Sequence, residues 1–177
     1  MRLVVRLQTS TIAVLLAIAV TSILLEGVMG EPNQKSEPRF AALSSEDTAR
    51  LDKQRALVAA AAKHKYGTPS FAKTKSDLVV LQRLINDQAF NKSQTYELQS
   101  LGVAFGDVLA TEFPLRWVMV TDEYGTDPTL RYKATTLQIN ALTMISKRIE
   151  RDEHVSLLEL VEITRQQLAS FEKGLSK

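Results

Sequence analysis

The sequence predicts an α+β domain in which helices flank a small antiparallel meander of about three strands, with an N-terminal signal segment before it. Between residues 44 and 113 apolar side chains recur at helical spacing, and after Pro114 the spacing changes to the alternation that is typical of strands. Helical spacing then returns from about residue 143. Helices, then strands, then helices favour an α+β fold over alternating βαβ units.

The composition fits one globular domain with a short extra segment. The chain has 177 residues, of which 45% are hydrophobic and 24% are charged, and single domains usually have about 100 to 200 residues. The net charge is only +2, and basic and acidic residues are mixed along the chain, which argues against a nucleic-acid partner. The absence of cysteine excludes disulfides, thiolate metal sites and a cysteine nucleophile.

Residues 1–30 are typical of a secretory signal peptide. Two arginines precede the uncharged apolar run TIAVLLAIAVTSILL, and small residues stand just before Glu31, as at a cleavage site. We therefore expect an exported protein, periplasmic or secreted, whose mature chain begins at Glu31. The alternative is an uncleaved segment that anchors the protein in the inner membrane, because Leu3 to Leu25 approaches the roughly 20 residues that span a bilayer.

The domain is predicted to span residues 44–177. Residues 31–43 contain two prolines, mixed charge and few apolar side chains, which is typical of a flexible linker. A first helix begins at a capping serine, Ser44 or Ser45. A second, amphipathic helix begins at Ser76.

The third helix is predicted from about Ser93 to Phe113, where Pro114 ends it. Gly102 and Gly106 are four residues apart and lie on one face of this helix. Each costs about 1 kcal/mol relative to alanine in a helix interior. Close approach of another helix or of the sheet explains this cost more simply than a ligand does, so we predict a structural role for both glycines.

Three segments with alternating side chains follow the proline: RWVMVT, TLRYK and TTLQI. They predict the antiparallel meander, and the first segment, which is apolar on both faces, is predicted as its central strand. A helix through MISKRIERDE comes next. The terminal helix begins at the capping pair Ser156 and Glu159.

The stretch WVMVTDEYGTDPTLRY places Asp122, Glu123 and Asp127 around Gly125. An EF-hand calcium loop needs a glycine at position 6, whereas counting from Asp122 puts Gly125 at position 4. A hairpin turn is the simpler interpretation, because Gly125 supplies a positive φ and acidic residues are common in turns. An irregular calcium site is the alternative. In a hairpin centred near Gly125 to Asp127, Asp122 is expected to lie opposite Arg131.

Catalytic motifs are absent: there is no GxSxG, HExxH, GxxxxGK or GxGxxG. The histidines, His64 and His154, lie in charged segments. Asp107 is either an exposed charge or a buried acid that needs a partner such as Arg131 or Arg148. We therefore lean against an enzyme and expect no metal or cofactor, with a carboxylate-based envelope hydrolase as the alternative.

The run from Tyr96 onward, with LQSLGVAFGD, RWVMVTDEYGTDPTLRY, LTMISKRIER and LLELV, resembles the bacterial family catalogued as domain of unknown function 3806. The likeness covers roughly residues 82–161, and WVMVTDEYG with DPTLRY is its most specific part. The resemblance implies a small bacterial domain and supplies no activity, ligand or catalytic residue. Together with the signal peptide, it implies a periplasmic protein.

The sequence therefore predicts an exported, non-enzymatic domain that binds an envelope protein or a small ligand. A membrane-tethered helper protein is a further alternative. The predicted binding surface is the hairpin, with the residues Trp117, Asp122, Glu123, Tyr124, Asp127 and Arg131. Turn tips often carry binding contacts.

Overall fold

The computed structural model describes residues 37–67 and 70–175. It has the predicted α+β fold, in which helices pack on a four-stranded antiparallel sheet. The predicted signal segment and residues 31–36 lie outside the described residues. In the part that is described, no helix is both long and apolar enough to cross a membrane.

The elements follow one another in a simple order. They are β1 (Arg39–Ala41), α1 (Ser45–Tyr66), α2 (Asp77–Asn86), α3 (Thr95–Glu112), β2 (Leu115–Asp122), β3 (Gly125–Tyr132), β4 (Gln138–Ile139), α4 (Ala141–Met144), α5 (Ser146–Glu150) and α6 (Leu157–Leu175). The strand order in the sheet is β1-β2-β3-β4, and all neighbours are antiparallel. The predicted meander is thus confirmed, and β2 is an inner strand of the sheet, between β1 and β3.

The prediction of a flexible linker over residues 31–43 is wrong at Arg39–Ala41, which form the strand β1. Phe40 pairs with Val120 of β2, and the guanidinium carbon of Arg131 lies 4.2 Å from the centre of the Phe40 ring. Three residues are too few to show strand alternation, and their hydrogen-bond partners come from a segment 80 residues later. The composition of residues 31–43 therefore could not predict this strand.

The first helix has the predicted capped start. The Ser44 hydroxyl accepts a hydrogen bond from the Asp47 amide at 3.0 Å, and the Asp47 carboxylate accepts one from the Ser44 amide at 3.1 Å. At the other end, Gly67 has a φ of 68° and its amide donates to the Lys63 carbonyl. These are local interactions, which is why the sequence predicts this helix well.

Helix α3 is the centre of the core. Its buried side chains point in all directions and include Leu98, Leu101, Val103, Phe105, Val108 and Leu109. The sheet packs one face against it through residues such as Leu115 and Leu130. Helices α1, α2, α4 and α5 surround the rest of α3.

Gly102 and Gly106 lie where other elements come closest to α3. A Cβ atom on Gly102 would collide with the backbone carbonyls of Ala141 and Leu142 in α4. A Cβ atom on Gly106 would collide with the ring of Trp117. The absence of both side chains lets α4 and β2 pack directly on the α3 backbone.

Candidate ligand-binding cleft

The tip of the β2–β3 hairpin carries the acidic residues of the predicted binding surface. Asp122 pairs with Gly125, so the two turn residues are Glu123 and Tyr124. The Asp122 carboxylate accepts a hydrogen bond from the Tyr124 amide at 2.8 Å, and Gly125 has a φ of 130°. The Tyr124 side chain is 85% exposed, and hydrogen bonding to Glu123 raises the pKa of its hydroxyl. Asp127 is also exposed, so this surface faces solvent.

The expected pairing of Asp122 with Arg131 is wrong. The turn falls nearer to Asp122 than predicted, so Arg131 lies opposite Arg116. Its Nε atom donates to the Thr135 carbonyl at 2.6 Å, and its guanidinium stacks over Phe40. Arg131 therefore holds the β3–β4 turn and β1 in place, away from the hairpin acids.

Trp117 belongs to a different group of side chains, which we call the Asp107 cluster: Arg55, Lys73, Asp107 and Trp117. Asp107 is only 6% exposed. Its carboxylate accepts hydrogen bonds from Arg55 Nε at 2.6 Å, Arg55 Nη2 at 2.7 Å and Trp117 Nε1 at 2.9 Å. The Lys73 ammonium lies 3.7 Å from the same carboxylate. The cluster joins α1, α3 and β2.

The predicted partners of a buried Asp107, Arg131 and Arg148, are both wrong, because Arg55 of α1 takes that position. Hydrogen bonding to Asp107 raises the pKa of the Arg55 guanidinium. A cavity of about 210 Å³ adjoins the pair and is also lined by Lys73 and Asp77. Its charges are already partnered within the protein, because Arg55 and Lys73 lie against Asp107 and the Asp77 carboxylate accepts hydrogen bonds from backbone amides. This arrangement is typical of a structural ion pair, in which removal of either partner strongly destabilises the fold.

The structure does not bring Asp107 and the hairpin acids together. Asp122 is five residues beyond Trp117 on β2, which corresponds to about 16 Å at the usual rise of a strand. Side chains at these two positions also point to opposite faces of the sheet. Among the described residues, no group of three or more histidine, aspartate or glutamate side chains is placed to hold a metal ion.

A cleft of about 340 Å³ opens between two walls on another part of the surface. One wall is the end of α2 with the loop that follows it, and the other is the connection from α5 to α6. The floor consists of three fully buried leucines, Leu84, Leu98 and Leu101. Half-buried Ile85, Phe90 and Ile149 line the sides. We call this site the apolar cleft.

The side chain of Gln82 ties the two walls together. Its Nε2 atom donates to the Val155 carbonyl at 2.9 Å, and its Oε1 atom accepts a hydrogen bond from the Leu157 amide at 2.9 Å. The exposed ion pair between Lys92 and Asp152 joins the same walls a second time. The width of the apolar cleft is therefore set by specific contacts from one wall to the other.

Each wall contains a residue other than glycine in the left-handed region. Gln88 has a φ of 47° and Asp152 a φ of 61°. Both follow a helix end, where glycine is usual because a side chain costs about 1 kcal/mol or more. Both of these side chains line the apolar cleft. Backbone strain of this kind is concentrated at ligand sites in proteins.

Three polar side chains at the rim have hydrogen-bonding groups to spare. The Asn86 Oδ1 atom accepts a hydrogen bond from Gln82, but its amide nitrogen has no partner within residues 37–67 and 70–175. The side chains of Gln88 and His154 likewise have no partner there. An amide and an imidazole each offer a donor and an acceptor. An apolar floor with a few free polar groups is the usual composition of a small-molecule site.

Sequence reasoning missed the apolar cleft. It placed His154 in a charged connection, but no motif linked that connection to α2. The available signal was weak: the segment NDQAFNKSQ is a polar loop between two amphipathic helices, and such loops often carry binding residues. Only the packing of α2 beside the α5–α6 connection reveals the site.

Comparisons with known proteins agree with the fold and with the resemblance. No curated protein matches the chain. A crystal structure from Bacteroides thetaiotaomicron VPI-5482 matches 76% of this chain with a TM-score of 0.67 and 14% sequence identity, so the likeness shows the fold alone. The chain covers 49% of that structure's length. Residues 77–160 match the model of the family described as Domain of unknown function (DUF3806), which confirms the resemblance that the sequence indicated.

Proposed function

We propose that the chain is an exported bacterial envelope protein whose domain binds a small ligand in the apolar cleft and catalyses no reaction. The signal-like N-terminus supports export. The observation that carries the proposal is the apolar cleft itself, with its buried leucine floor and its free polar groups at the rim. Its lining residues fall between Leu84 and Val155, entirely within the segment that the family model matches.

The cleft favours a ligand with an apolar body and one polar edge. The apolar side chains with surface left for a ligand are Ile85, Phe90 and Ile149, which lie above the buried leucines. Each 100 Å² of apolar surface buried on binding would contribute about 2.5 kcal/mol before the costs of association. The polar edge would hydrogen bond to Asn86, Gln88 or His154. The charges at the rim include the paired Lys92 and Asp152, so a neutral amide or alcohol fits better than a strongly charged ligand.

Ligand-observed NMR with a panel of small neutral aromatic amides and alcohols tests the proposal. We expect binding that is weakened at least tenfold in an Ile149→Trp variant, because the indole would fill the cleft. The His154→Ala variant should lose affinity for amides, whereas His64→Ala, which changes the exposed histidine on α1, should not. The proposal is wrong if no fragment binds at about 5 mM, or if Ile149→Trp binds as the parent does.

A partner protein that contacts the hairpin tip is the second candidate, favoured by the 85% exposure of Tyr124. Turn tips with an exposed aromatic side chain are common in recognition surfaces. A double variant, Glu123→Gln with Tyr124→Ala, should lose binding partners in a pulldown if the tip is an interface. Unchanged partners would exclude this surface. The alternative of a carboxylate-based hydrolase receives less support, because Asp107 is paired with Arg55 and the hairpin acids lie at a solvent-facing tip, not in a cleft.

A further inference from the structure

A second cleft, of about 330 Å³, lies between β4, α5 and α6. Three cationic side chains line it, Lys147, Arg148 and Arg151, together with a single carboxylate, Glu153. We call this site the basic cleft. The whole chain has a net charge of only +2, so three cations around one recess are a marked local excess of positive charge.

The positive charge in the basic cleft is poorly neutralised. Lys147 forms no ion pair with any described residue, and the Arg151 guanidinium lies 3.8 Å from Glu153 while its side chain is 68% exposed. Arg151 directly follows α5 and is four residues from Lys147, a spacing at which two like charges repel each other. A bound anion would remove this repulsion.

The protein itself orients the Arg148 side chain. This side chain is half-buried, and its Nη1 atom donates to the Met144 carbonyl at 2.7 Å. A guanidinium has five N–H donors, so others are left for a ligand. Because the side chain is already held, an anion that binds Arg148 avoids much of the entropy cost of ordering it.

Gln138 adds an unsatisfied acceptor to the basic cleft. Its buried Oε1 atom accepts no hydrogen bond from the residues that the structure describes. A buried acceptor without a partner destabilises the folded protein. A hydroxyl on the ligand could donate to this oxygen, while the cations could hold an anionic group of the same ligand.

We propose that the basic cleft binds a small oxyanion that also carries a hydroxyl group. Arginine recognises carboxylate and phosphate oxygens with paired hydrogen bonds, so a hydroxycarboxylate and a phosphate that retains a proton share the required chemistry. The basic cleft is a different recess from the apolar cleft: among the described residues Glu153 lines both, whereas Lys147, Arg148 and Arg151 line the basic cleft alone.

Isothermal titration calorimetry of the purified chain tests this proposal with inorganic phosphate and malate as probes at pH 6.5. We expect binding that a Lys147→Gln, Arg151→Gln double variant weakens at least tenfold. A matched double variant, Lys53→Gln with Lys63→Gln, removes the same charge from the exposed surface of α1 and should change affinity less than twofold. The tighter of the two probes identifies phosphate or carboxylate as the preferred group.

Sulfate separates the two parts of the proposal, because it is an oxyanion without a hydroxyl at this pH. It should bind more weakly than phosphate, and a Gln138→Ala variant should abolish that difference. Equal binding of sulfate and phosphate would overturn the role of the hydroxyl. The site itself is overturned if neither phosphate nor malate binds at about 10 mM, or if the Lys147 and Arg151 double variant behaves like the α1 control.

Discussion

The Arg55 guanidinium makes two parallel hydrogen bonds to the Asp107 carboxylate, at 2.6 and 2.7 Å, and so joins α1 to α3. Asp107 is almost completely buried, and its carboxylate also accepts a hydrogen bond from the Trp117 indole. The pair explains how a helix that the family model does not match is attached to one that it does.

Replacement of Arg55 by methionine should destabilise the domain by about 3 to 5 kcal/mol, because it leaves a buried carboxylate without its main cationic partner. Urea denaturation measures this loss. The double variant Arg55→Met with Asp107→Leu should recover most of it, since a buried ion pair can often be exchanged for apolar side chains of similar size. A loss below about 1 kcal/mol in the single variant would mean that the pair contributes little.

The close approach at Gly102 and Gly106 predicts that alanine destabilises at both positions. Overpacking typically costs about 1 to 3 kcal/mol, which exceeds the gain of about 1 kcal/mol in helix propensity. Gly102→Ala should destabilise more than Gly106→Ala, because its added Cβ atom would collide with backbone carbonyls of α4. Gly174→Ala is the matched control: no atom lies within 4 Å of a Cβ atom there, so thermal unfolding should show a small gain. Stabilisation at Gly102 would contradict the packing.

Gln82 should control how firmly the walls of the apolar cleft are held. Gln82→Ala leaves the Val155 carbonyl and the Leu157 amide without their partner, at a cost of about 1 to 3 kcal/mol. Amide hydrogen exchange should accelerate in residues 151–157 of the variant. Gln166→Ala, which removes one hydrogen bond on the exposed face of α6, should leave those rates unchanged. Equal rates in the two variants would show that Gln82 does not fix the walls.

The Lys133–Glu172 contact predicts the pH response of one carboxyl group. Hydrogen bonds from Lys133 and from Tyr132 lower the pKa of Glu172 from its ordinary value of 4.5. Because the folded-state pKa is the lower one, the stabilisation is present above pH 4.5 and is lost as the pH falls through the folded-state value. In an NMR titration, Lys133→Met should move the Glu172 pKa back toward 4.5, whereas Lys53→Met should not. No difference between these variants would contradict the contact.

Local interactions explain how much of the fold the sequence could predict. The capping pair of Ser44 and Asp47, and the change of spacing after Pro114, involve residues close together in the chain, so the helices and the meander were predictable. The strand at Arg39–Ala41 was not, because its hydrogen bonds come from β2. The spacing of Gly102 and Gly106 placed both on one face of α3, but it could not identify α4 and Trp117 as the elements against that face.

The candidate site depends on contacts between distant segments, which is why the sequence did not indicate it. Arg55 and Asp107 are 52 residues apart, and the walls of the apolar cleft are joined by Gln82 and Leu157, which are 75 residues apart. Neither pair belongs to a motif. The three hairpin acids, Asp122, Glu123 and Asp127, lie within six residues of one another in the sequence, but the structure places them at a hairpin tip that faces solvent.

The most direct test of the proposed function is to map the binding of a neutral amide fragment on the ¹H–¹⁵N NMR spectrum of the chain. We expect the largest shift changes in residues 84–92 and 149–155, with smaller ones at Leu98 and Leu101 on the floor. Changes concentrated at the hairpin tip, residues 122–127, or spread evenly over the surface would contradict a ligand site in the apolar cleft.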